Sequence, residues 1–355
     1  MEYRLILIGC GTVGQGLLEI LDRKADYLRD QFSFEPRVVA ITDKLKGSVI
    51  SRDGLNIRTV LKILEEGKKL NAYPGPKEKT PEFIDPLDLI EQVEADIMAE
   101  MTYTDLKTAE PATFYIKKAL RSGKHVVTSN KGPAALYYHE LQELAKVNNR
   151  QFRIEGTVMS GTPVFHLFEN GLAGNEIKEI KGILNGTTNF ILSKMEMDRM
   201  EYEEALKLAQ ELGYAEADPT ADVEGLDAAA KLVILSNVLM GGKIKPDEVK
   251  RQGISHLRKS DIEQARQAGF RYKLIARVKK EDTSLIASVA PELVPLTDPL
   301  AGVMGTMNAL TFDTDLMGRV TIQGAGAGKI ETGFSILSDL LAIWRCEKNL
   351  AETQP

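Results

Sequence analysis

The sequence is poor in the residues that build disulfide scaffolds, zinc centres and membrane spans. Its 355 residues include two cysteines, Cys10 and Cys346, four histidines and one tryptophan. Two cysteines cannot form a disulfide framework and are typical of a reducing compartment, so we expect a cytoplasmic protein. The histidines are scattered without ligand spacing, which argues against a zinc site. No apolar run approaches the ~20 residues of a spanning helix, and no secretory signal opens the chain.

Positive charge is also scarce. The chain carries 45 Lys and Arg against 51 Asp and Glu, a net charge of −6 at pH 7. A general nucleic-acid binder or an anionic-membrane binder needs a basic stripe, so we expect neither partner. The length is sufficient for two domains with good cores, and a small-molecule substrate is the expected partner.

The first motif follows a short apolar run at residues 4–9. The letters GCGTVG at 9–14 place Gly9, Gly11 and Gly14 in the G-x-G-x-x-G spacing, and an amphipathic helix follows near residues 15–28. Such glycines let the backbone turn tightly and approach a pyrophosphate, which the helix N-terminus then binds. The motif predicts an NAD or NADP site; an ordinary glycine-rich turn is the alternative.

The cofactor preference is open from the sequence. A second strand at 37–43 ends in Asp43, where an acid would hold the adenosine ribose of NAD. Lys44, Lys46 and Arg52 follow closely and could instead neutralise the 2′-phosphate of NADP. The stretch 47–80 is interpreted as an insertion with a helical piece.

Two further strands, at 95–101 and 125–128, end in polar residues. Thr102 follows the first, and Ser129 and Lys131 follow the second. In open α/β sheets, ligands bind beyond the carboxyl ends of the strands. We therefore expect these three residues at the cofactor, although a loop lysine is more often a surface residue.

The second half has a different pattern. Residues 151–158 alternate between apolar and polar residues, as in a strand, and Glu155 lies within this stretch. Its carboxylate either accepts hydrogen bonds from backbone N–H groups or is a ligand of a cation. The strands predicted later, from 178 to about 311, favour a mixed or antiparallel sheet. A glycine-rich strand at 320–328 and a terminal helix at 332–346 should return to the first domain. We predict an α/β protein with a Rossmann-type dinucleotide-binding domain at 1–150 plus 320–355, and an α+β domain with a mixed sheet at 151–319.

The most informative stretch is 211–241. Its acids include Glu216, Asp218, Asp222 and Asp227, and one lysine, Lys231, follows in an otherwise apolar helix. A buried ammonium needs a partner or a lowered pKa, and Asp227 lies one helical turn before Lys231. A structural salt bridge worth roughly 0.3–0.5 kcal/mol is the alternative. The apolar flanks and the acidic loop favour a lysine held for proton transfer.

The chain resembles the homoserine dehydrogenase family in six stretches that occur in the family's order. They are GCGTVG (9–14), HVVTSNKGP (125–133), EGTVMSGTP (155–163), KGILNGTTNFIL (181–192), GYAEADPTADVEGLDAAAK (213–231) and GAGAG (324–328). The resemblance spans nearly the whole chain. It implies NAD(P)-linked interconversion of L-homoserine and L-aspartate 4-semialdehyde in threonine, methionine and isoleucine synthesis. It also implies a homodimer whose sheet comes from the 151–319 domain, which is then the catalytic and dimerisation domain.

The resemblance also implies roles for individual residues. It makes Lys231, Lys131 and Asp227 catalytic, and it makes Glu216, Asp222 and Asp227 substrate ligands. Further cofactor contacts would be Thr12, Val13, Thr102, Ser129, Gly213 and Gly328. A monovalent cation, Na⁺ or K⁺, would be held around Glu155, Val158, Ser160 and Thr162. Many relatives carry a C-terminal ACT-type domain or are fused behind an aspartate kinase, and we expect no feedback through such domains here.

Two other functions are compatible with the dinucleotide motif. The chain could be a different Rossmann reductase acting on another small oxo acid or amino-acid aldehyde, or a dinucleotide-binding regulator without turnover. The acidic 213–231 stretch argues against the first, and the presence of both lysines argues against the second. Spacing does not rank Lys131 against Lys231 as the acid/base; the apolar helix around Lys231 favours that residue.

Overall fold

The computed structural model describes residues 3–74, 81–282 and 284–353. The chain divides into two compact units. The first unit comprises Met1–Gly161 and Gly328–Pro355, and the second unit comprises Thr162–Ala327. Among the described residues, no helix has the length and apolar character needed to cross a membrane.

The first unit is built on a six-stranded sheet. Its strands are β1 Tyr3–Ile8, β2 Pro36–Asp43, β3 Gly47–Ile50, β4 Ile97–Glu100, β5 His125–Thr128 and β6 Phe152–Arg153. They lie in the order β3-β2-β1-β4-β5-β6. All neighbours are parallel except β2 and β3, so β3, which begins the predicted insertion, adds an antiparallel edge. The chain passes from β1 to β2 on one side of β1 and later returns to place β4 on the other side, so a topological switch point lies between β1 and β4.

Seven helices surround this sheet in the described part of the first unit. Numbered along the whole chain, they are α1 Thr12–Phe32, α2 Ile57–Glu65, α3 Pro86–Gln92, α4 Ala112–Arg121, α5 Lys131–Leu136, α6 Tyr138–Val147 and α13 Lys329–Thr353. The terminal helix α13 packs on α1, and its Trp344 joins Leu5 and Leu17 in one buried core. The helices approach closely because Gly16 has no side chain; a Cβ there would lie 1.9 Å from the Lys329 carbonyl oxygen.

The second unit contains the other sheet. Its strands are β7 Ile177–Ile183, β8 Lys250–Arg251, β9 Phe270–Glu281, β10 Ser284–Pro295, β11 Met307–Thr314 and β12 Gly318–Ala325, in the order β12-β11-β7-β9-β10-β8. The pairs are antiparallel except β10 with β8. Its helices are α7 Phe165–Asn170, α8 Gly186–Met197, α9 Tyr202–Glu211, α10 Thr220–Val223, α11 Leu226–Leu239 and α12 Lys259–Gln267. Helices α8, α11 and α12 pack against the sheet.

The predicted fold class is confirmed: the chain has a Rossmann-type unit and an α+β unit with a mixed sheet. One predicted strand is wrong. Residues 151–158 form only the two-residue β6 and then a 3₁₀ turn at Glu155–Thr157. The turn forms because Thr157 donates its N–H and its hydroxyl to the Ile154 carbonyl, while the Glu155 N–H donates to Asp339 of α13 at 2.9 Å. Part of the insertion predicted at 47–80, residues 75–80, lies outside the described residues.

Candidate active site

The buried lysine of the second unit lies in an ion pair. Helix α11 begins after Gly225, whose φ of 74° is left-handed, and nearly all of its residues are buried. Lys231 is 8% exposed and Asp227 9%. The Lys231 Nζ lies 2.7 Å from Asp227 Oδ2 and donates to the Leu184 carbonyl oxygen at 2.7 Å. Leu184 directly follows β7, so the end of the sheet and the helix together fix the ammonium.

A second carboxylate is held beside this pair by an amide. Asn185 Nδ2 donates to Asp222 Oδ1 at 2.7 Å and to Asp227 Oδ2 at 3.0 Å. Its Oδ1 accepts from the Thr188 N–H at 2.9 Å and so caps α8. The cap therefore determines which end of the amide faces the acids. Burial raises the pKa of Asp222, the Asn185 hydrogen bond opposes this, and the nearby Asp227 charge adds to the rise.

The acidic loop before α10 is more exposed. Glu216 is exposed, and its carbonyl oxygen accepts from the Gln210 side chain at 3.2 Å. Gly213 ends the turn after α9 with a φ of 75°. Asp218 accepts from the Thr220 hydroxyl at 2.6 Å, which lowers the pKa of Asp218. Asp218 thus shapes the loop, whereas the Glu216 carboxylate lies at the surface of the same unit.

The glycine turn of the first unit has the geometry of a phosphate-binding turn. Gly9 has a φ of 97°, and a Cβ there would lie 2.5 Å from the Met101 carbonyl oxygen after β4. A Cβ at Gly14 would likewise lie 2.7 Å from the Gly9 carbonyl oxygen. At Gly11, the residue before α1, a Cβ would meet no atom within 4 Å, so space is open at the helix N-terminus. Thr12 and Val13 follow in the first turn of α1, exposed and half-buried. These residues fit a dinucleotide pyrophosphate.

Asp43 at the end of β2 is tied to the glycine turn. Its Oδ2 accepts from the Cys10 N–H at 2.7 Å, and its Oδ1 accepts from the N–H groups of Leu45 and Lys46, both at 2.9 Å. The Lys46 ammonium donates to the Cys10 carbonyl oxygen at 2.6 Å. The carboxylate therefore orders the loop where the ribose of a dinucleotide would bind, and it stays half-exposed.

The predicted residues after β4 and β5 also lie together. Thr102 follows β4, and Ser129 and the half-buried Lys131 follow its parallel neighbour β5. Two residues that the sequence analysis did not use join these ends. Glu100, the last residue of β4, is completely buried, and Asn130 caps α5 through the Gly132 N–H at 3.1 Å. Glu100 could have been noticed as the one charge inside the apolar residues 97–101.

The residues predicted to hold a cation lie where the first unit ends. Glu155 is buried, and one of its carboxylate oxygens lies within 4.8 Å of a carboxylate oxygen of Asp339. Val158 is buried, and the Ser160 hydroxyl lies 2.6 Å from that of Thr332. Thr162 begins the second unit, where its hydroxyl donates to the Ala325 carbonyl oxygen at 3.3 Å. Gly328 begins the segment that leads into α13.

From the sequence alone Asn185 resembles an ordinary helix cap, and its hydrogen bonds to two carboxylates were not predicted. The signal was the polar density of residues 185–189, which exceeds what one cap requires. Asp339 was also missed, because the sequence around it is an ordinary amphipathic helix.

Comparison with known proteins covers both units. The sequence model for the homoserine dehydrogenase NAD binding domain matches residues 9–155, and the homoserine dehydrogenase model matches residues 163–341. A homoserine dehydrogenase of Methanocaldococcus jannaschii is 45% identical over 344 residues, covering 97% of this chain and 99% of that protein. An NAD(+)-dependent homoserine dehydrogenase of Pseudomonas canavaninivorans is 43% identical, with 96% of each chain covered.

A solved structure agrees with these relatives. The homoserine dehydrogenase of Thiobacillus denitrificans superposes with a TM-score of 0.84 at 34% identity, covering 98% of this chain and 74% of that one. The matches confirm the family that the six motifs predicted, and they confirm NAD(P) as the cofactor class. The chain therefore belongs to the homoserine dehydrogenase family and is an NAD(P)-dependent homoserine dehydrogenase.

Proposed function

We propose that Lys231 is the general acid/base in the interconversion of L-homoserine and L-aspartate 4-semialdehyde. The observation that carries this proposal is the buried ammonium held 2.7 Å from Asp227 and 2.7 Å from the Leu184 carbonyl oxygen. The bound nicotinamide supplies the hydride that reduces the aldehyde carbon. Lys231 stabilises the negative charge that develops on the aldehyde oxygen and donates the proton. General acid catalysis of this kind contributes about 10²–10⁴-fold.

The acids beside Lys231 have two functions in this proposal. Asp227 keeps the amine in place in both protonation states, since its carboxylate is fixed by the Asn185 amide. Asp222, held by the same amide, and Glu216 bind the α-ammonium of the amino-acid substrate. A bound ammonium would favour ionised Asp222, whose pKa burial raises. The Asn185 hydrogen bond and the Lys231 charge offset part of this effect of burial, and a bound cation would offset more of it, which suits a substrate ligand.

The first unit binds NAD in preference to NADP in this proposal. The reason is Asp43, whose carboxylate lies at the end of β2 and would repel a 2′-phosphate while accepting from a ribose hydroxyl. Lys44 and Lys46 follow, but Lys46 already donates to the Cys10 carbonyl oxygen. Measuring kcat/KM with NAD and with NADP tests this preference. In the variant Asp43→Ser, the ratio of kcat/KM with NAD to that with NADP should be smaller than in wild type. A wild-type enzyme that favours NADP would contradict it.

We also propose that a monovalent cation binds beside Glu155. Two buried carboxylates, Glu155 and Asp339, have oxygens within 4.8 Å of each other, which a hard cation with oxygen ligands would stabilise. The backbone and side-chain oxygens of Val158, Ser160 and Thr162 are the further donors. Thermal unfolding in sodium, potassium and tetramethylammonium chloride tests this. The same melting temperature in all three would contradict it.

The assembly we propose is a cytoplasmic homodimer formed through the second unit. Large apolar side chains are exposed on or directly after β10, at Ile286, Leu293 and Leu296, and in the turn between β11 and β12, at Leu316 and Met317. We infer that the side chains on and after β10 are part of the surface that meets the partner subunit. Two free thiols, Cys10 and Cys346, suit a reducing compartment. Sedimentation equilibrium of wild type and Leu293→Asp tests the assembly; a monomeric wild type would contradict it.

The central experiment compares lysine variants. In Lys231→Met, turnover with homoserine and NAD should fall by ~10²-fold or more, while the dissociation constant for NADH stays near wild type. Lys273→Met is the matched control, because Lys273 is also a buried lysine of the second unit, but its ammonium contacts Asn189 and Val303. Folded Lys273→Met should keep most of its turnover.

The same series separates the two candidate lysines. Lys131→Ala tests the lysine of the first unit, for which we propose a second role at the substrate and the nicotinamide. If Lys131→Ala loses turnover and Lys231→Met does not, Lys131 is the acid/base and the proposal for Lys231 is wrong. If neither variant loses turnover, another group is the acid/base and the proposal fails.

A further inference from the structure

The carboxyl ends of β4 and β5 are joined by a buried carboxylate. Glu100 Oε1 accepts from the Thr102 N–H at 2.9 Å and from the Thr102 hydroxyl. Its Oε2 accepts from the hydroxyl of Thr128, the last residue of β5, at 2.7 Å. Neither Glu100 nor Thr128 has exposed surface. Burial raises the pKa of Glu100, and hydrogen bonds from Thr102, Thr128 and the Asn130 side chain oppose part of this rise.

Thr128 connects this carboxylate to the start of α5. Its oxygen also accepts from the Asn130 N–H at 2.9 Å. The Asn130 side chain is 1% exposed; its Oδ1 accepts from the Gly132 N–H at 3.1 Å, and its Nδ2 donates to the Tyr103 carbonyl oxygen at 3.3 Å. Lys131 lies between Asn130 and Gly132, whose backbone N–H groups donate to the Thr128 hydroxyl oxygen and to Asn130 Oδ1. Its main chain is therefore fixed from both sides.

A buried carboxylate is a poor source of stability. Its desolvation is costly, and apolar residues of the same shape often stabilise a fold as well or better. The best-attested use of such groups is to specify one geometry among several. Here the geometry concerns the two strand ends that carry Thr102, Ser129 and Lys131.

We propose that Glu100 is a positioning residue that acts through Thr128 and Asn130 on Lys131. By holding the end of β5 and the cap of α5 in one arrangement, it fixes where the Lys131 ammonium is presented during turnover. This rests on the proposed function, in which Lys131 takes part in turnover. Misplacement of a catalytic group by about 1 Å can cost ~10²-fold in rate.

The test uses two threonines that are both completely buried in the first unit. Thr128→Val removes the hydroxyl that joins Glu100 to the Asn130 N–H and fixes the end of β5. Thr113→Val is the control, because the Thr113 hydroxyl donates at 2.8 Å to the carbonyl oxygen of Ala109, which precedes α4. We expect Thr128→Val to lower kcat by about 10- to 100-fold, with NADH affinity near wild type. Thr113→Val should lower the melting temperature but keep kcat, and Thr128→Ser should restore kcat.

A double-mutant cycle shows whether the effect passes through Lys131. In a Lys131→Ala background, Thr128→Val should cause little further loss of kcat, because effects along one path are not additive. If Thr128→Val lowers the melting temperature like Thr113→Val but keeps kcat, the positioning role is wrong. An equal fold-loss in both backgrounds would also overturn it.

The cycle distinguishes this inference from the proposed function. Full turnover in Lys131→Ala itself would refute the role of Lys131, and the inference with it. Loss of turnover in Lys131→Ala with normal turnover in Thr128→Val would refute the inference alone. Glu100→Gln is a second variant. Its amide cannot accept hydrogen bonds from both Thr102 and Thr128 as the carboxylate does, so we expect it to lower kcat as Thr128→Val does. A folded Glu100→Gln enzyme with wild-type kcat would contradict the inference.

Discussion

Lys273 gives a quantitative prediction about the stability of the unit that carries the acid/base. It is 1% exposed, and its Nζ donates to Asn189 Oδ1 at 2.9 Å and to the Val303 carbonyl oxygen, with Met304 Sδ at 3.4 Å. Burial lowers the pKa of Lys273 from 10.5 to about 8. Asn189 lies one turn after the cap of α8, so this contact supports the helix that presents Asn185.

The sign of the pH dependence follows from the two pKa values. The unfolded chain binds the Lys273 proton more tightly than the folded chain, so protonation of this group opposes folding below pH 8. This penalty is relieved as the pH rises from 8 to 10.5. At ~1.36 kcal/mol for each pH unit between the two values, the full effect is about 3 kcal/mol. About 2 kcal/mol of it should be recovered between pH 7 and pH 9.5.

The variant Lys273→Met isolates this effect. It removes the titrating group and takes the ammonium donor away from Asn189 Oδ1, at a cost of ~1–3 kcal/mol. Urea unfolding of both proteins at pH 7 and pH 9.5 measures the difference, in which other titrations cancel. Wild type should gain about 2 kcal/mol relative to the variant at the higher pH. Equal shifts in both proteins would show that the Lys273 pKa is not lowered and would refute the argument.

Three further changes test the site. Asp227→Asn should cost about 3–5 kcal/mol in urea unfolding and most of the turnover, because it leaves Lys231 without its carboxylate; a loss below ~1 kcal/mol would contradict this. Asn185→Ala should raise KM for homoserine and cost about 1–2 kcal/mol of stability; an unchanged KM would refute its hold on the acids. Gly9→Ala should abolish NADH binding, measured by fluorescence titration, because its Cβ would lie 2.5 Å from the Met101 carbonyl oxygen.

The sequence predicted the parts of the site that depend on local spacing. The Asp227–Lys231 pair follows from four-residue spacing on a helix, and the glycine turn follows from a motif between a strand and a helix. Strands within β7, β9, β10 and β11 were also predicted. The two-residue β8 was not, and the strand predicted at 320–328 was expected in the first domain, whereas β12 pairs with β11 in the sheet of the second unit. Each of these signals lies within about a dozen consecutive residues.

The missed features join residues that are distant in the chain. Glu100 meets Thr128 across two parallel strands, and a contact of that separation leaves no periodic pattern. The strand predicted at 151–158 is wrong because Asp339, far along the chain, binds the Glu155 N–H and stabilises a turn. Asn185 resembled an ordinary cap, since only its tertiary partners reveal that its amide holds two carboxylates.

The most direct test of the central claim is chemical rescue of Lys231→Ala with added primary amines. Turnover of homoserine with NAD would be measured against methylamine and ethylamine, with Lys131→Ala as the comparison. If the Lys231 ammonium transfers the proton, small amines should restore part of kcat, increasingly with their concentration, in the Lys231 variant. Turnover that stays unrestored by every amine, or a Lys231→Ala enzyme as fast as wild type, would contradict the assignment.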